Sequence, residues 1–394
     1  MRITFVLAFL LSVLGGSPAS AAEPFFSAVP IFPTEKKHNH ASCIVEVSNG
    51  DLLAVWYNGT GERSADDVRI QGAWLKKGNT LWGPRVTLAD TPGYPDCNPA
   101  VFAAPDGTIW LTWPTILDHR WEGALLKFAV AKDDGVHSGP LNWVREGVFH
   151  ITPVGFDEDW AKAVGGLPAE IPARLKKEFD TAAQRSKDQL YQRLGWMPRV
   201  HFTVLPSGRW LLPLYTDTFS ASIVLYSDDQ GKTWLTSKPM IGFGNIQPSL
   251  VVRKDGTVVA FMRDNGPFRK IRQAESHDNG ETWSAVTSSA LPNPGAGVEA
   301  VKLASGRWAM IYNDTERGRH SLAVSLSEDE GKTWTKTRHV EIQSPGSGSF
   351  HYPSIMQARD GTIHVTYTHG GTPEGSTIEH ARFNEEWVLQ GDRR

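Results

Sequence analysis

The sequence predicts an all-β protein, a six-bladed β-propeller with a short helical insertion. Three observations predict it. A polar residue and a glycine precede an alternating apolar run six times along the chain, a tryptophan stands downstream of each of these glycines, and the glycines recur about every 50 residues with one longer gap. Repeats of this length, each with several short strands, are typical of propeller blades.

Each repeat begins with a tight turn that leads into a buried strand. Glycine supplies the positive φ of such a turn, and the β-branched and aromatic residues that follow favour the pleated surface of a strand. The six turn glycines are Gly50, Gly107, Gly208, Gly256, Gly306 and Gly361. The six downstream tryptophans are Trp82, Trp143, Trp234, Trp283, Trp334 and Trp387.

The interval between Gly107 and Gly208 is twice as long as the others. Within it, from Asp157 to Arg193, Leu, Phe and charged residues recur at spacings of three and four, which indicates helix. A segment of this length is too short for an independent core. We therefore expect residues 157–193 to form one or two helices inserted into a single propeller domain of residues 23–394.

The first 22 residues have the pattern of a secretory signal peptide. Arg2 precedes an apolar run from Ile3 to Leu14, and small residues then lead to the segment ASAA that ends at Ala22. The apolar run is too short to span a bilayer. We expect a secreted or periplasmic protein without a membrane span.

Charge and cysteine content narrow the choice of ligands. The 394 residues carry a formal net charge of −3, with acidic and basic residues interspersed. This favours small neutral or anionic ligands over nucleic acid, and we expect no cofactor and no resident metal. Cys43 and Cys97 are the only cysteines, and in an oxidising compartment they form one disulfide or remain two buried thiols.

Three of the tryptophans end a longer motif, Ser-x-Asp-x-Gly-x-Thr-Trp, at residues 227–234, 276–283 and 327–334. These copies resemble the Asp boxes of the sialidase (neuraminidase) superfamily, also called BNR repeats, and the resemblance extends over nearly all of the chain after residue 22. The residue types are those of a turn: an Asp that accepts from backbone amides, a Gly in the strained position and a buried Trp. The boxes therefore indicate the fold and leave the chemistry open.

The resemblance implies three arginines that clamp a carboxylate, an Asp acid/base, and a Tyr nucleophile activated by a Glu. Arg263 ends a buried strand and Arg319 precedes a strand that leads into an Asp box, as the second and third arginines do. Tyr352, in the segment FHYPSI, resembles the nucleophile. Glu299 is the candidate base, because Gln247 stands sixteen residues before Arg263, where related enzymes tend to carry the Glu.

The candidate acid/base residues are Asp66 and Asp67, because the loop GERSADD resembles the family's first-blade loop. Adjacent carboxylates raise each other's pKa, as a proton donor at neutral pH requires. The alternative is a solvated acidic loop without a catalytic role. Glu62 and Arg63 of the same loop are candidate substrate-binding residues.

The position of the first arginine departs from the family pattern. The segment from Lys37 to Ser42 contains no arginine, and His40 takes its place, where we expect it at the rim of the pocket. An imidazole cannot form the bidentate hydrogen bonds that a guanidinium donates to a carboxylate. The sequence therefore supports sialic acid itself less strongly as the substrate. His38 and His40 lie on one side of an extended segment, which leaves a metal pair or an acid/base role open.

Further polar residues lie next to the predicted strand ends and are candidate substrate ligands: Asn98, Arg199, Asn313, His351 and His369. Together the candidates predict a secreted exo-glycosidase that releases a terminal, acidic sugar from a glycan or oligosaccharide. The histidines favour an alternative, a polysaccharide lyase or other glycoside hydrolase on uronate or rhamnose glycans. Gln247 and the missing arginine favour another, a non-catalytic carbohydrate-binding propeller.

Overall fold

The computed structural model describes residues 22–166 and 173–392. Within them the chain forms six four-stranded antiparallel sheets and a few short helices. The prediction of an all-β, six-bladed propeller with a helical insertion is confirmed. The predicted signal peptide, residues 1–22, lies outside the described residues except for Ala22.

The chain enters the ring through an N-terminal strand and then builds three blades. The N-terminal strand is β1 (Phe26–Pro30). Blade 1 consists of β2 (His38–Glu46), β3 (Leu52–Gly59), β4 (Arg69–Leu75) and β5 (Val86–Ala89). Blade 2 consists of β6 (Ala100–Ala103), β7 (Thr108–Ile116), β8 (Ala124–Lys132) and β9 (Trp143–Val148). Blade 3 consists of β10 (Thr203–Val204), β11 (Trp210–Thr216), β12 (Ala221–Ser227) and β13 (Leu235–Thr236).

Three more blades complete the ring, and the last one takes a strand from each end of the chain. Blade 4 consists of β14 (Asn245–Val252), β15 (Val258–Asp264), β16 (Lys270–Ser276) and β17 (Thr287–Pro292). Blade 5 consists of β18 (Glu299–Lys302), β19 (Trp308–Tyr312), β20 (Ser321–Ser327) and β21 (Lys336–Ile342). Blade 6 consists of β22 (Ser349–Gln357), β23 (Ile363–Thr372), β24 (Gly375–Phe383) and β1. The ladder that joins β1 to β24 closes the propeller.

The first strands of neighbouring blades contact one another around the axis, as β2 contacts both β6 and β22. Because the strands of a blade alternate in direction, one face of the propeller carries the starts of all first strands and the loops between second and third strands. We call this the entry face. The turn glycines and the Asp boxes lie on the opposite face, since they connect first to second and third to fourth strands.

The Asp boxes are structural turns. The Asp229 carboxylate accepts from the backbone N–H of Lys232 and Thr233 at 3.0 and 2.9 Å. Asp278 and Asp329 accept in the same way from the backbone N–H of Thr282 and Thr333. Because the carboxylates are satisfied within their own turns on the face opposite the entry face, they stabilise hairpins and take no part in a site at the entry face.

The box tryptophans hold neighbouring blades together. Trp234 of blade 3 packs against Trp110 and Phe149 of blade 2, with ring centroids 6.2 and 5.4 Å apart. Trp334 of blade 5 packs in the same way against Phe261 of blade 4, at 5.8 Å. Buried aromatic pairs of this kind contribute about 0.5–1.5 kcal/mol each beyond their area.

The insertion between blades 2 and 3 is helical, as predicted, and three helices lie within its described residues, 156–166 and 173–193, where one or two were expected. They are α1 (Phe156–Gly165), α2 (Ala173–Arg185) and α3 (Gln189–Arg193). Blade 2 carries a short 3-10 helix (Trp121–Gly123), and α4 (Glu385–Leu389) follows blade 6. No helix within the described ranges is long and apolar enough to cross a membrane. Cys43 and Cys97 are buried free thiols.

Candidate active site

Six residues, one from each blade, surround the axis near the entry face. Each lies nine residues before the turn glycine of its blade, as Tyr352 lies before Gly361. These residues, which we call the axial ring, are Ala41, Asn98, Arg199, Gln247, Gly297 and Tyr352. Their contacts cross the axis, since a Cβ on Gly297 would lie 3.0 Å from the Tyr352 ring and 3.4 Å from Nε of Arg199.

Most of the axial ring has a strained backbone. Four members have a positive φ: Asn98 (40°), Tyr352 (46°), Ala41 (56°) and Gln247 (57°). In blades 1, 4 and 6 the pairing between the first and second strands shifts register at the axial-ring residue. Each of these shifts is a β-bulge in β2, β14 or β22. A bulge re-aims its side chains, and a non-glycine residue in this region costs roughly 1–2 kcal/mol. Such strain is typical of functional sites.

Tyr352 lies among three arginines from three different blades. Its hydroxyl oxygen accepts from Nη1 of Arg263 at 2.9 Å and lies 3.1 Å from Nε2 of Gln247. The guanidinium carbons of Arg199 and Arg319 lie 4.9 and 5.6 Å from the centre of the tyrosine ring. The fold therefore brings together Arg199, Arg263, Arg319, Gln247 and Tyr352.

The three arginines are held differently. Arg199 is fully buried and donates to the backbone oxygens of Ser42 and Pro353 at 3.2 and 2.7 Å. Arg319 donates to the backbone oxygen of Gly295 at 2.6 Å and lies 2.6 Å from Nδ1 of His351. Nε of Arg263 has no hydrogen-bond partner among the described residues. Of the three arginines, Arg263 is the one that lines the axial pocket described below.

Two carboxyl groups, those of Glu62 and Asp217, line the axial pocket beside Tyr352. The pocket has a volume of about 310 Å³. Burial raises the pKa of Asp217, against the opposing charge of Arg263. Burial also acts to raise the pKa of Glu62, but hydrogen bonds to neighbouring side chains hold that pKa below its ordinary value. Asp217 is therefore the better proton donor, and Glu62 is the ionised carboxylate. The remaining lining residues are Asn98, Trp121, Tyr215 and Arg263.

A second cleft, of about 450 Å³ between blades 1 and 6, shares Glu62 with the axial pocket. His38, His40 and His351 line it. Burial, together with nearby positive charge, lowers the pKa of His40 well below its ordinary value and that of His351 to about 3. Both imidazoles are therefore neutral at physiological pH. Glu62 accepts from the hydroxyl of Tyr57 at 2.7 Å.

His40 is buried beneath the rim, so the expectation that it lies on the rim is wrong. The residue is 6% exposed, because its ring packs against those of Tyr352 and His351 with centroids 4.4 and 5.4 Å away. No group of three or more His, Cys, Asp or Glu side chains in the described part of the chain is arranged to hold a metal ion.

Asp66 and Asp67 do not line the axial pocket, contrary to expectation. The Asp66 carboxylate lies 2.6 Å from Nε2 of His119, and its side chain is 53% exposed. Asp67 accepts from the backbone N–H and the hydroxyl of Thr60 at 2.9 and 2.7 Å, which closes its own loop. Glu62 is the acidic residue of this loop that reaches the pocket.

Glu299 lies one layer deeper along the axis, two residues beyond Gly297 on the same strand face. Its carboxylate accepts from Nδ1 of His201 at 2.6 Å and from the backbone N–H of Ile355 at 2.8 Å. Nε2 of His201 donates to the backbone oxygen of Ile44 at 2.5 Å. Since both imidazole nitrogens face acceptors, His201 is an imidazolium that neutralises Glu299. This geometry does not support Glu299 as the base for Tyr352.

Three further candidates have other partners. Asn313 is fully buried and donates to the backbone oxygens of Ser321 and Phe350 at 2.6 and 3.2 Å, so it joins strands. The ring of His369 packs on Phe350, with centroids 5.0 Å apart. Arg63 lies over the ring of Trp121 at 5.2 Å, beside the axial pocket. None of the three lines the axial pocket itself.

The sequence contains a signal that reasoning from single motifs missed. The nine-residue offset from the turn glycines selects Asn98, Arg199, Gln247 and Tyr352 as one set without reference to any family. Asp217 has no comparable signal, because it lies in the loop after β11, and loops of this kind differ from blade to blade.

Comparison with known proteins agrees with this architecture. The BNR repeat-like domain family matches residues 184–365. A sialidase from Micromonospora viridifaciens is 27% identical over 177 residues. The chain is a sialidase-like BNR-repeat propeller. An anhydrosialidase from Macrobdella decora is 24% identical to this sialidase-like propeller over 179 residues.

The sialidase-like propeller spans about a quarter of the length of the curated relatives it matches. The alignments cover 42% of the chain and 26% of the Micromonospora sialidase, and 41% and 23% for the Macrobdella protein. Among solved structures, a leech intramolecular trans-sialidase complexed with 2,7-anhydro-Neu5Ac superposes with a TM-score of 0.67. That match has 12% identity and covers 91% of this chain and 69% of the other. At such identity the likeness shows the fold alone.

Proposed function

We propose that this protein is an exported exo-glycosidase that releases a terminal, acidic sugar from glycans. The observation that carries the proposal is the convergence of Arg199, Arg263 and Arg319 on Tyr352. The three guanidinium groups carry more positive charge than the one ionised carboxylate of the pocket, that of Glu62, can neutralise. The pocket therefore favours an anionic ligand. The names of the relatives, a sialidase and an anhydrosialidase, support the same class. Export is proposed from the sequence of residues 1–22.

The acidic group of the sugar binds Arg263 and Arg319. A guanidinium donates two parallel hydrogen bonds to a carboxylate, and Arg263 lines the pocket in which such a group would bind. His40, which takes the place of the family's first arginine in the sequence, and His351 line the neighbouring cleft. Because both imidazoles are neutral, they offer hydrogen bonds without charge, which suits the hydroxyl groups of a sugar as well as its carboxylate.

Tyr352 is the proposed nucleophile. A phenol is a weak nucleophile and needs help to carry negative charge as it attacks. Two donors, Nη1 of Arg263 and Nε2 of Gln247, point at its oxygen, and the cations of Arg199 and Arg319 lie beside its ring. Among the described residues its hydroxyl is hydrogen-bonded to no carboxylate. We infer that electrostatic stabilisation of the attacking oxygen replaces much of the work of a general base, and that water in the pocket accepts the phenol proton.

Asp217 is the proposed acid. Its raised pKa keeps a proton available for the leaving-group oxygen, and it lines the pocket together with Tyr352. It takes the role that the sequence suggested for Asp66 and Asp67. Glu62, ionised at the other side of the pocket, stabilises the positive charge that develops on the sugar ring.

The test is a release assay with the purified full chain on sialylated, uronate-containing and rhamnose-containing glycans. We expect one acidic monosaccharide, identified by mass, and its loss in Tyr352→Phe. Tyr226→Phe is the matched control, since Tyr226 packs on Arg209 at 4.5 Å on blade 3, away from the pocket. Unsaturated products would indicate a lyase, and binding without any release would indicate a lectin; either result overturns the proposal.

A further inference from the structure

A groove of about 500 Å³ runs beside the axial pocket on the entry face. One wall is α2, from Lys177 to Arg185. The other wall consists of the loop after β11, residues 217–220, and the loop after β15, residues 265–268. The groove therefore exists because of the helical insertion, which interrupts the blade repeat between blades 2 and 3.

Five aromatic side chains line the groove, those of Trp160, Phe179, Phe219, Phe243 and Phe268. Phe179 of α2 packs on Phe243 with centroids 4.3 Å apart, and Phe243 packs on Trp160 of α1 at 5.7 Å. Phe219 lines the same wall and packs on Trp160 at 5.4 Å. Phe268 is 45% exposed at the edge of the groove. Trp160 and Phe219 are buried, so the aromatic surface open to a ligand comes from Phe179, Phe243 and Phe268.

Several polar side chains of the groove form hydrogen bonds within the protein. Arg185 donates to Glu122 at 3.3 Å. Asn265 donates to the hydroxyl of Ser220 at 3.4 Å and accepts from Arg263 at 3.3 Å. A second sugar ring requires several hydrogen-bond partners for its hydroxyl groups, whereas the surface exposed in this groove is more apolar than polar. An apolar ligand fits it better.

The groove and the axial pocket meet at Asp217, which lines both. If Asp217 protonates the leaving-group oxygen, the sugar lies on the Tyr352 side of this residue and the leaving group on the α2 side. We propose that the groove is the leaving-group subsite and that it takes an apolar aglycone, an aryl or alkyl group. This inference rests on the proposed function.

The first test compares three glycosides of the released acidic sugar, with methyl, octyl and galactosyl leaving groups. We expect kcat/KM to be highest for the octyl glycoside. Phe268→Ala lowers that value about 5–10-fold, the scale of one aromatic contact, and lowers the methyl value less than twofold. Leu190→Ala is the control, because Leu190 is 62% exposed on α3 and does not line the groove. Equal losses on the octyl and methyl glycosides, or a preference for the galactosyl glycoside, overturn the inference.

The second test is independent of turnover. Isothermal titration with the free aryl aglycone 4-methylumbelliferone should give one saturable site that Phe268→Ala weakens and Arg263→Ala does not. Hydrolysis without aglycone preference, together with no probe binding, overturns the groove inference and leaves the proposed function in place. No hydrolysis of any acidic glycoside, together with probe binding that depends on Phe268, overturns the proposed function and keeps the groove as an apolar ligand site.

Discussion

The hydroxyl oxygen of Tyr352 lies 3.1 Å from the side-chain amide nitrogen of Gln247. Both residues belong to the axial ring, and both sit at a β-bulge with positive φ. The bulges aim the two side chains at each other across the axis from blades 4 and 6. The residue at position 247 therefore controls what group faces the hydroxyl of Tyr352.

Gln247→Glu should raise the rate of sugar release. The substitution places a carboxylate within hydrogen-bond reach of the phenol, and general bases contribute typically 10²–10⁴-fold; we expect at least about tenfold in kcat, because Arg263 competes for the new charge. Steady-state kinetics with a fluorogenic acidic glycoside measure the change in kcat. Gln273→Glu, on β16 of the same blade, is the control. An unchanged or lower kcat would argue against Tyr352 as a nucleophile that lacks a base.

Arg263→Ala should weaken kcat/KM for the acidic sugar about 30–100-fold, since a hydrogen bond to a charged group contributes about 1.5–3 kcal/mol. The melting temperature should change little, because the guanidinium faces the pocket and its Nε has no partner among the described residues. Arg307→Ala removes an arginine with partly exposed ion pairs to Glu328 and Glu385 and serves as the control. A parallel loss of activity on a neutral-sugar glycoside would contradict a carboxylate clamp.

Asp217→Asn should slow glycosides with poor leaving groups far more than aryl glycosides, because a good leaving group departs without a proton. Because the pKa of Asp217 is raised, the wild-type enzyme should keep a high rate at pH values above the ordinary pKa of an Asp. The rate should then fall as the pH rises through the raised pKa. The variant should lose this limb of the pH profile. Asp66→Asn should leave the profile unchanged; if it removes the limb instead, the acid lies in the first-blade loop.

Asp278→Ala should destabilise the fold by on the order of 1 kcal/mol, the scale of a lost turn or cap bond, without changing kcat/KM. The carboxylate accepts from the backbone N–H and the hydroxyl of Thr282, on the face opposite the pocket. Urea unfolding measures the free energy of unfolding, and Asp180→Ala at an exposed position of α2 is the control. A variant with unchanged stability and lost activity would show that the box acts in the site.

Stability should fall as pH falls from about 6.5 to about 4. Nε1 of Trp82 donates to Nδ1 of His380, so Nε2 of His380 donates to Nδ1 of His364. Burial lowers the pKa of His364 to about 4 and that of His380 well below its ordinary value. In this window the unfolded chain binds protons that the folded chain does not, which favours unfolding.

The melting temperature as a function of pH checks this expectation. His364→Gln should flatten the decline between about pH 6.5 and 4. His277→Gln, which changes an exposed histidine on blade 4, should leave the decline as it is. If the wild-type melting temperature does not change across that range, the buried histidine pair is not a source of acid sensitivity.

The sequence by itself determined the blade count, the Asp-box turns and the helical insertion. Each depends on local chemistry: glycine at a positive φ, alternation along a strand, and three-to-four spacing along a helix. It also placed Arg263, Arg319 and Tyr352 at strand ends. Even the axial ring is present in the sequence, as a constant distance from the turn glycines.

Only the tertiary structure decided which acidic groups reach the pocket. The sequence suggested Asp66 and Asp67 as acid/base residues, but their loop turns them toward His119 and Thr60. Asp217, from another blade, lines the pocket instead. Glu299 lies two residues along its strand from the axial ring and pairs with His201 in the next layer. These outcomes depend on loop conformation, bulges and contacts between blades, because such contacts join residues far apart in the chain, and no local pattern encodes them.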